Sequence, residues 1–337
     1  MKRFFAVTVA DIVNQETLMA VEQARVHIVP KPWGNTDLRP WHAYHDIKAA
    51  VGEIWFERAD PRAPEPALLL KLIFTSEPLS IQVHPGDALA RAIGLAHGKC
   101  EAWYVLAATA DARIAVGLKQ RLNPAQLRAS IADGSIAERV HWRSVHAGDS
   151  TFVPSGTIHA IGAGLVIAEI QQRSDATFRL FDYGRGRELH VDVAIAAANT
   201  DQHERRAPPR RLTAARTLLV GGPRFVLERL TLAPGCLRYL EASGETWLLT
   251  LAGQGSVGPI EVTAGVATFL EADRARIEAG SDGLEGLVAY VGGNPAPDLL
   301  RRPDDTRMRD PARGPNGPPL QPEPRSVTAT SPAKAAQ

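Results

Sequence analysis

From about Ala67 to Tyr290 the sequence is cut into short apolar runs closed by glycine, proline or aspartate, and that rhythm restricts what the chain can become. Leu68–Phe74, Leu79–Val83, Trp103–Leu106, Arg113–Val116, Leu165–Ile170 and Thr177–Phe181 form a first series. Phe225–Leu227, Trp247–Leu251 and Leu287–Tyr290 form a second, with turn signals such as Pro234-Gly235 and Gly253-Gln254-Gly255 between them. Short runs with regular punctuation predict the strands of sandwiches or barrels rather than long helices. One helical interruption is expected. Asn123 is an N-cap with Pro124 at the first helical position, leading through Ala125–Ile131 to a stop near Gly134, and Ser135–Val140 adds a short second helix.

Histidines mark where chemistry can sit. There are ten, and none lies beyond His203, so the second β-series carries none. His84 closes Ser80-Ile81-Gln82-Val83-His84-Pro85, where Gln82 and His84 share a strand face. His159 closes Gly148-Asp149-Ser150-Thr151-Phe152-Val153-Pro154-Ser155-Gly156-Thr157-Ile158-His159, which matches the second sequence motif of the cupin superfamily, G-x5-P-x-G-x2-H, without a mismatch. Glu101 opens the next strand and could add a carboxylate. Gln82, His84, Glu101 and His159 together offer two imidazole nitrogens and two oxygens. Such a set suits one Zn²⁺ per chain, with Mn²⁺, Fe²⁺ or Co²⁺ also compatible. The remaining histidines, His27, His42, His45, His97, His141, His146, His190 and His203, fit no ligand spacing and read as surface or capping residues.

The fold class is thus mainly β, with two cupin-like jelly-roll barrels and a short helical insertion. Expected boundaries are an N-terminal extension over 1–24, a catalytic barrel over 25–200 with its insertion at about 123–140, a linker over 201–211 and a second, metal-free barrel over 212–297. A tail over 302–337, with eight prolines from Pro303 to Pro332 and almost no large apolar residue, is expected to be disordered. Lys plus Arg, 38, nearly cancels Asp plus Glu, 37, so no global field attracts nucleic acid or an anionic membrane. The Arg205-Arg206 and Arg210-Arg211 pairs lack interleaved aromatics and read as linker. No obligate protein partner is predicted. Two cysteines, Cys100 and Cys236, are too few for a disulfide framework. Asp11 interrupts the only signal-like run, so a cytoplasmic protein is expected.

With those residues assembled, the sequence resembles the type I mannose-6-phosphate isomerases (phosphomannose isomerases) in their short bacterial form, from about Val29 to Gly293. The blocks that carry it are Lys31-Pro32-Trp33-Gly34, Gly52-Glu53-Ile54-Trp55, Leu79–Pro85, Gly98-Lys99-Cys100-Glu101-Ala102-Trp103-Tyr104, the His159 hairpin and, most diagnostic, Glu169–Asp182. The resemblance implies interconversion of mannose 6-phosphate and fructose 6-phosphate with one metal, usually zinc, on Gln82, His84, Glu101 and His159. It implies a catalytic Arg179, with Lys99, Glu169 and Asp175 in the same pocket, and Lys71, Ser80 and Arg185 at or near the phosphate end. Asn35 departs from the family's second glycine and Cys100 from its usual Thr or Pro; the helical domain of the long enzymes shrinks to roughly Asn123–Val140.

Isomerisation moves a proton between C2 and C1 through a cis-enediolate, which needs a base near neutral pH and a stabiliser for the oxyanion. Glu169, between Ala168 and Ile170, would have a raised pKa if buried, with Lys99 as the other candidate base. Arg179 is permanently charged, and its planar fork suits an enediolate or phosphate. Trp33, Trp55 and Trp103 read as core aromatics. Two rivals remain: a cupin dioxygenase, which would present His-x-His where Gln82 stands, and a non-catalytic sugar-phosphate-binding cupin, which would lack the charged set Lys99, Glu169 and Arg179.

Overall fold

The structure, a computed structural model, describes residues 21–42, 49–201 and 208–308. Most of the expected extension and tail, the Arg205-Arg206 part of the linker, and His45 and His203 lie outside the described residues.

Strand β1 (Glu22–Gln23) is followed by the first barrel: β2 (Arg25–Asn35), β3 (Val51–Glu57), β4 (Leu68–Thr75), β5 (Ile81–Val83), helix α1 (Asp87–Ala92), β6 (Glu101–Ala108), β7 (Arg113–Leu118), α2 (Pro124–Ala132), α3 (Ile136–Arg139), β8 (Val140–Ser144), β9 (Ser150–Val153), β10 (His159–Ile161), β11 (Leu165–Gln172), β12 (Phe178–Phe181) and α4 (Val191–Ala197). Its strands form two sheets, β2-β3-β4-β11-β6-β9 and β12-β5-β10-β7-β8, with the pairs antiparallel. Between them lie Trp33, Ile73, Trp103, Val105, Ile114, Val116, Ile161 and Ile167. The outer face of the smaller sheet is covered by the helices, Ile81, Val83 and Leu180 meeting Leu127, Ile131, Ile136 and Ala194.

The second barrel is one extended sheet from β13 (Arg210–Arg211), β14 (Arg216–Gly221), β15 (Phe225–Leu232), β16 (Leu237–Glu241), β17 (Thr246–Val257), β18 (Ile260–Thr263), β19 (Ala267–Leu270), β20 (Arg274–Val291) and β21 (Leu300–Arg301). β1 joins it by pairing with β19, and β21 by pairing with β16, so the sheet reaches past the 212–297 span at both ends. Its interior holds an ion pair: Arg216 donates twice to Glu228 at 2.7 Å, and the Tyr290 hydroxyl donates to the same carboxylate at 2.6 Å.

The barrels share a core. Leu70, Leu72, Phe74, Ala102, Tyr104, Ala168 and Ile170, on the back of the larger sheet, pack against Phe225, Leu227, Trp247, Leu249 and Phe269. That is why β4 is buried at every position and reads as an unbroken apolar run: one face looks into its own barrel, the other onto the neighbour. Burying a side chain such as Leu72 or Phe74 contributes roughly 1.5–3 kcal/mol. Arg224 of the second barrel also pairs with Asp87 at the start of α1.

The expected helix stands as α2, with the Asn123 side chain accepting from Gln126 N at 2.9 Å and Gln126 reciprocating on Asn123 N. β2 and β3, upstream of Ala67, were not expected. β2 contains Pro30 and Pro32, which demote a run as a strand, but it lies at a sheet edge, where a missing N–H breaks no ladder bond. Among the described residues no helix is long and apolar enough to cross a membrane.

Candidate metal centre and active site

The interior of the first barrel is apolar except where it gathers charge. Lys71 on β4 lies opposite Glu169 on β11, and Gln171 opposite Glu101 on β6, so register alone puts these polar residues on the inward face with Ile73, Ile167 and Trp103. From the smaller sheet, Gln82 on β5 lies opposite both His159 on β10 and Arg179 on β12. Two glycines let the chain close around this point. A Cβ on Gly98 would meet Asp87 N and Pro85 O at 2.6 Å, so only glycine lets the Lys99–Glu101 segment pass so close to the turn after His84. Gly156 takes φ +83° in the bend that brings His159 inward.

His84, Glu101 and His159 are each about 1% exposed, and their ligating atoms lie within 4.8 Å of one another. His84 Nε2 is 3.3 Å from Glu101 Oε2, and His159 Nε2 is 3.3 Å from Glu101 Oε1. The outer nitrogens are already committed: His84 Nδ1 donates to Ala176 O at 2.7 Å and His159 Nδ1 to Thr157 O at 2.8 Å. Both Nε2 atoms therefore carry lone pairs aimed at the same point, the tautomer that carbonyl partners impose on metal-binding histidines. Burial first, with the Lys99 charge behind it, drives His84 down to about 3, and burial likewise lowers His159, so both rings stay neutral. Glu101 is held well below the usual carboxylate range: burial opposes its charge, but the Lys99 ammonium beside it outweighs that penalty. Buried His84 Nε2 has no hydrogen-bond partner, and its lone pair faces the carboxylate of Glu101, whose Oε2 is otherwise met only by Lys99 at 3.1 Å, an arrangement that is costly unless a cation completes it. The donor set fits a metal ion. Gln82 completes it on one condition. Its Nε2 faces His159 Nε2 at 3.3 Å while Oε1 accepts from Ser80 Oγ at 3.1 Å; ligation by oxygen requires the amide to turn over, and the Ser80 hydroxyl can donate or accept in either state.

Above this cluster opens a cavity of about 300 Å³ lined by Gln82, Lys99, Glu101, Glu169, Asp175 and Arg179 among others. Glu169 Oε1 lies 3.8 Å from Lys71 Nζ and 3.9 Å from Lys99 Nζ, buried and without a hydrogen-bond partner. Burial and the Glu101 charge push Glu169 up to about 7, against the pull of Lys99 and Lys71. Lys99, 3.1 Å from Glu101, moves the other way: burial opposes its charge, but Glu101 and Glu169 raise it to about 12.

No family model matches the sequence. The mannose-6-phosphate isomerase of Streptococcus mutans is 30% identical over 274 residues, 70% of this chain and 85% of that protein. The chain belongs to the mannose-6-phosphate isomerase family. In fold it is similar to the crystal structure of the Bacillus subtilis mannose 6-phosphate isomerase (TM-score 0.70, 24% identity, 80% of this chain and 99% of that one). It is also similar to a mannose 6-phosphate isomerase structure described as zinc-bound (TM-score 0.64, 13% identity, 80% and 99%).

The structure brings most of the sequence-predicted site together. Gln82, Glu101, Lys99, Glu169, Asp175, Arg179, Lys71 and Ser80 all line the cavity, with His84 and His159 beneath it. Lys71, expected near the phosphate, lies deep: it is paired with Glu53 at 3.5 Å and Glu169 at 3.8 Å and sits 4.6 Å over the Trp55 ring. Arg185 is not brought to the cavity lining. It pairs with Asp182 at 2.9 Å and Glu77 at 3.7 Å, because the turn at Tyr183-Gly184, both with positive φ, directs it back across the strand end. Sequence reasoning missed Lys31, Glu53, Thr177, Arg187 and His190, which line the cavity. Lys31 and Glu53 stood inside the quoted family blocks and pair with each other at 3.5 Å. Trp33 and Trp103 are core residues as expected, Trp33 also showing an edge to the cavity.

Proposed function

We propose that the chain interconverts mannose 6-phosphate and fructose 6-phosphate, using zinc bound by Gln82, His84, Glu101 and His159, and that Glu169 is the base. The observation that carries the reading is a buried carboxylate poised near neutrality between two lysines, on the same cavity as a neutral His/Glu/His cluster. Two imidazole nitrogens with oxygen donors form a borderline set that favours zinc. A bound divalent cation supplies a Lewis acid for the sugar oxygens.

The remaining chemistry belongs to the chain. In the open-chain sugar Glu169 accepts the C2 proton, and the C–H electron pair becomes the C1–C2 double bond as the C1 carbonyl π pair moves onto O1; the O2 proton then passes to O1, the C2–O2 carbonyl forms, and the double-bond pair takes the proton from Glu169 at C1. Lys99 at about 12 holds its proton throughout, so it suits stabilising developing oxyanion charge rather than abstracting a proton. Arg179, next to Gln82 across β5, donates its Nε to Glu188 O at 3.0 Å, leaving the guanidinium end for the substrate. The cavity floor is balanced by itself, with Lys31, Lys71 and Lys99 facing Glu53, Glu101 and Glu169. A divalent cation and a phosphate near −2 at pH 7 then enter with almost no change in net charge. In this reading residues 25–200 carry the chemistry, and the second barrel covers the apolar back of the larger sheet.

The test is a coupled assay on mannose 6-phosphate, with and without chelator, together with deuterium incorporation from D₂O at C1 or C2. Metal-dependent turnover with exchange is expected. Turnover that survives complete metal removal, or a protein inert towards mannose 6-phosphate, refutes it.

A further inference from the structure

His190 occupies the N-cap position of α4, the place where a polar side chain ordinarily accepts from the helix's own N–H groups, yet its side chain makes no such bond. The ring is turned to the cavity instead and packs on Phe178 at 6.1 Å between centroids. Its backbone meets the free edge of β12 through one bond, His190 N donating to Arg179 O at 2.9 Å, and Arg179 N donates to His190 Nδ1 at 3.2 Å. The second bond fixes the chemistry of the ring. A nitrogen that accepts cannot carry the proton, so Nε2 is an N–H donor and the only polar atom the ring has left to offer. Burial and the Arg179 charge lower the ring's pKa and keep this form neutral.

The row His159, Gln82, Arg179, His190 runs straight across the sheet. With strands ~4.8 Å apart, His190 stands two steps, ~10 Å, from Gln82, a separation that a six-carbon chain ending in a phosphate spans. Around His190 the charge is no longer balanced. Arg187 lines the cavity, and among the described residues its only carboxylate partner, Asp182, is shared with Arg185, while Arg179 has none. Asp175 is the one carboxylate of this end that also lines the cavity.

We propose that Arg187 and the Nε2–H of His190 form the subsite for the substrate's phosphate, at the far end of the cavity from the metal cluster. The inference rests on the sugar-phosphate reading above and assigns the anion to residues other than Lys71, Ser80 and Arg185. A remote anion site adds binding that substrate and transition state share, so its loss falls on KM rather than kcat. His190→Leu should raise KM for mannose 6-phosphate about 10- to 100-fold, the range for a hydrogen bond to a charged group. It should weaken competitive inhibition by inorganic phosphate by a similar factor and leave metal content at the wild-type value. His190→Gln, which keeps an N–H donor, should recover part of the loss. In the wild-type protein, ¹⁵N spectra should show His190 protonated at Nε2 and shifted by inorganic phosphate.

Unchanged KM and phosphate inhibition in both variants would overturn the assignment, as would a fall in kcat at constant KM or a His190 resonance indifferent to phosphate. If the wild-type protein fails to isomerise mannose 6-phosphate, the parent reading has failed instead, and the phosphate titration still decides whether the anion site exists.

Discussion

Replacing Glu169 by Gln should abolish turnover and at the same time stabilise the metal-free protein at alkaline pH. The side chain is buried, and ionising it there is unfavourable: burial and Glu101 raise its pKa from the ordinary 4.5 to about 7 even with Lys71 and Lys99 beside it. In the unfolded chain the same carboxyl ionises near its ordinary value. Between these values the native state binds more protons than the unfolded state, so this group's contribution to stability falls as pH rises. At 1.36 kcal/mol per pH unit, the accumulated penalty above pH 7 is about 3 kcal/mol. Glutamine copies the protonated form and never incurs it. Urea unfolding of chelator-treated wild type and variant should give nearly equal stability near pH 4.5. The difference should grow in the variant's favour to about 3 kcal/mol at pH 8. Bound metal favours the charged carboxylate, so the gain should shrink in loaded protein. Activity should move oppositely, with kcat lowered ~10²–10⁴-fold, the contribution of a positioned general base. In the wild type, kcat/KM should rise with pH as Glu169 deprotonates, at or below about 7. A variant less stable than wild type at pH 8, or one that retains turnover, would refute the reasoning.

Protein purified without added metal should contain about one equivalent by elemental analysis, and His159→Ala, which removes one of the converging lone pairs, should contain none. Arg179→Lys should lower kcat ~10²-fold, the cost of losing an oriented oxyanion donor, in steady-state kinetics on mannose 6-phosphate. Arg185→Ala should leave KM close to wild type, since that guanidinium is held by Asp182 and Glu77. In the second barrel, Arg216→Met strands Glu228, which is fully buried, and should cost about 3–5 kcal/mol in chemical unfolding while leaving metal content unchanged.

The grouping of His84, Glu101 and His159 was legible in the sequence because two of its pieces are local. Gln82 on β5 and His84 just past its end are two residues apart, and the Gly148–His159 hairpin carries its own turn residues, so each half arrives with its side chains already aimed. The charged floor was readable for a related reason. Glu169, flanked by Ala168 and Ile170, had to be buried if its strand was, and the register with Lys71 then follows from antiparallel pairing. What could not be read was any role set by how a loop re-enters the fold. Arg185 and Arg187 lie two residues apart in one turn; the left-handed backbone at Tyr183, Gly184 and Gly186 decides which faces the cavity and which turns to Glu77. His190 is the sharper instance. Its position before α4 predicts a cap, and the position is indeed the N-cap, but the side chain answers to the backbone of β12 rather than to its own helix. A cap bond is a contact between near neighbours, whereas the bond to Arg179 N spans eleven residues and exists only after β12 has docked on β5. Side chains that choose a tertiary partner over an available local one have given up a contact worth about 1 kcal/mol. At the wall of a charged cavity, that exchange is itself the signal that the group is held for a ligand.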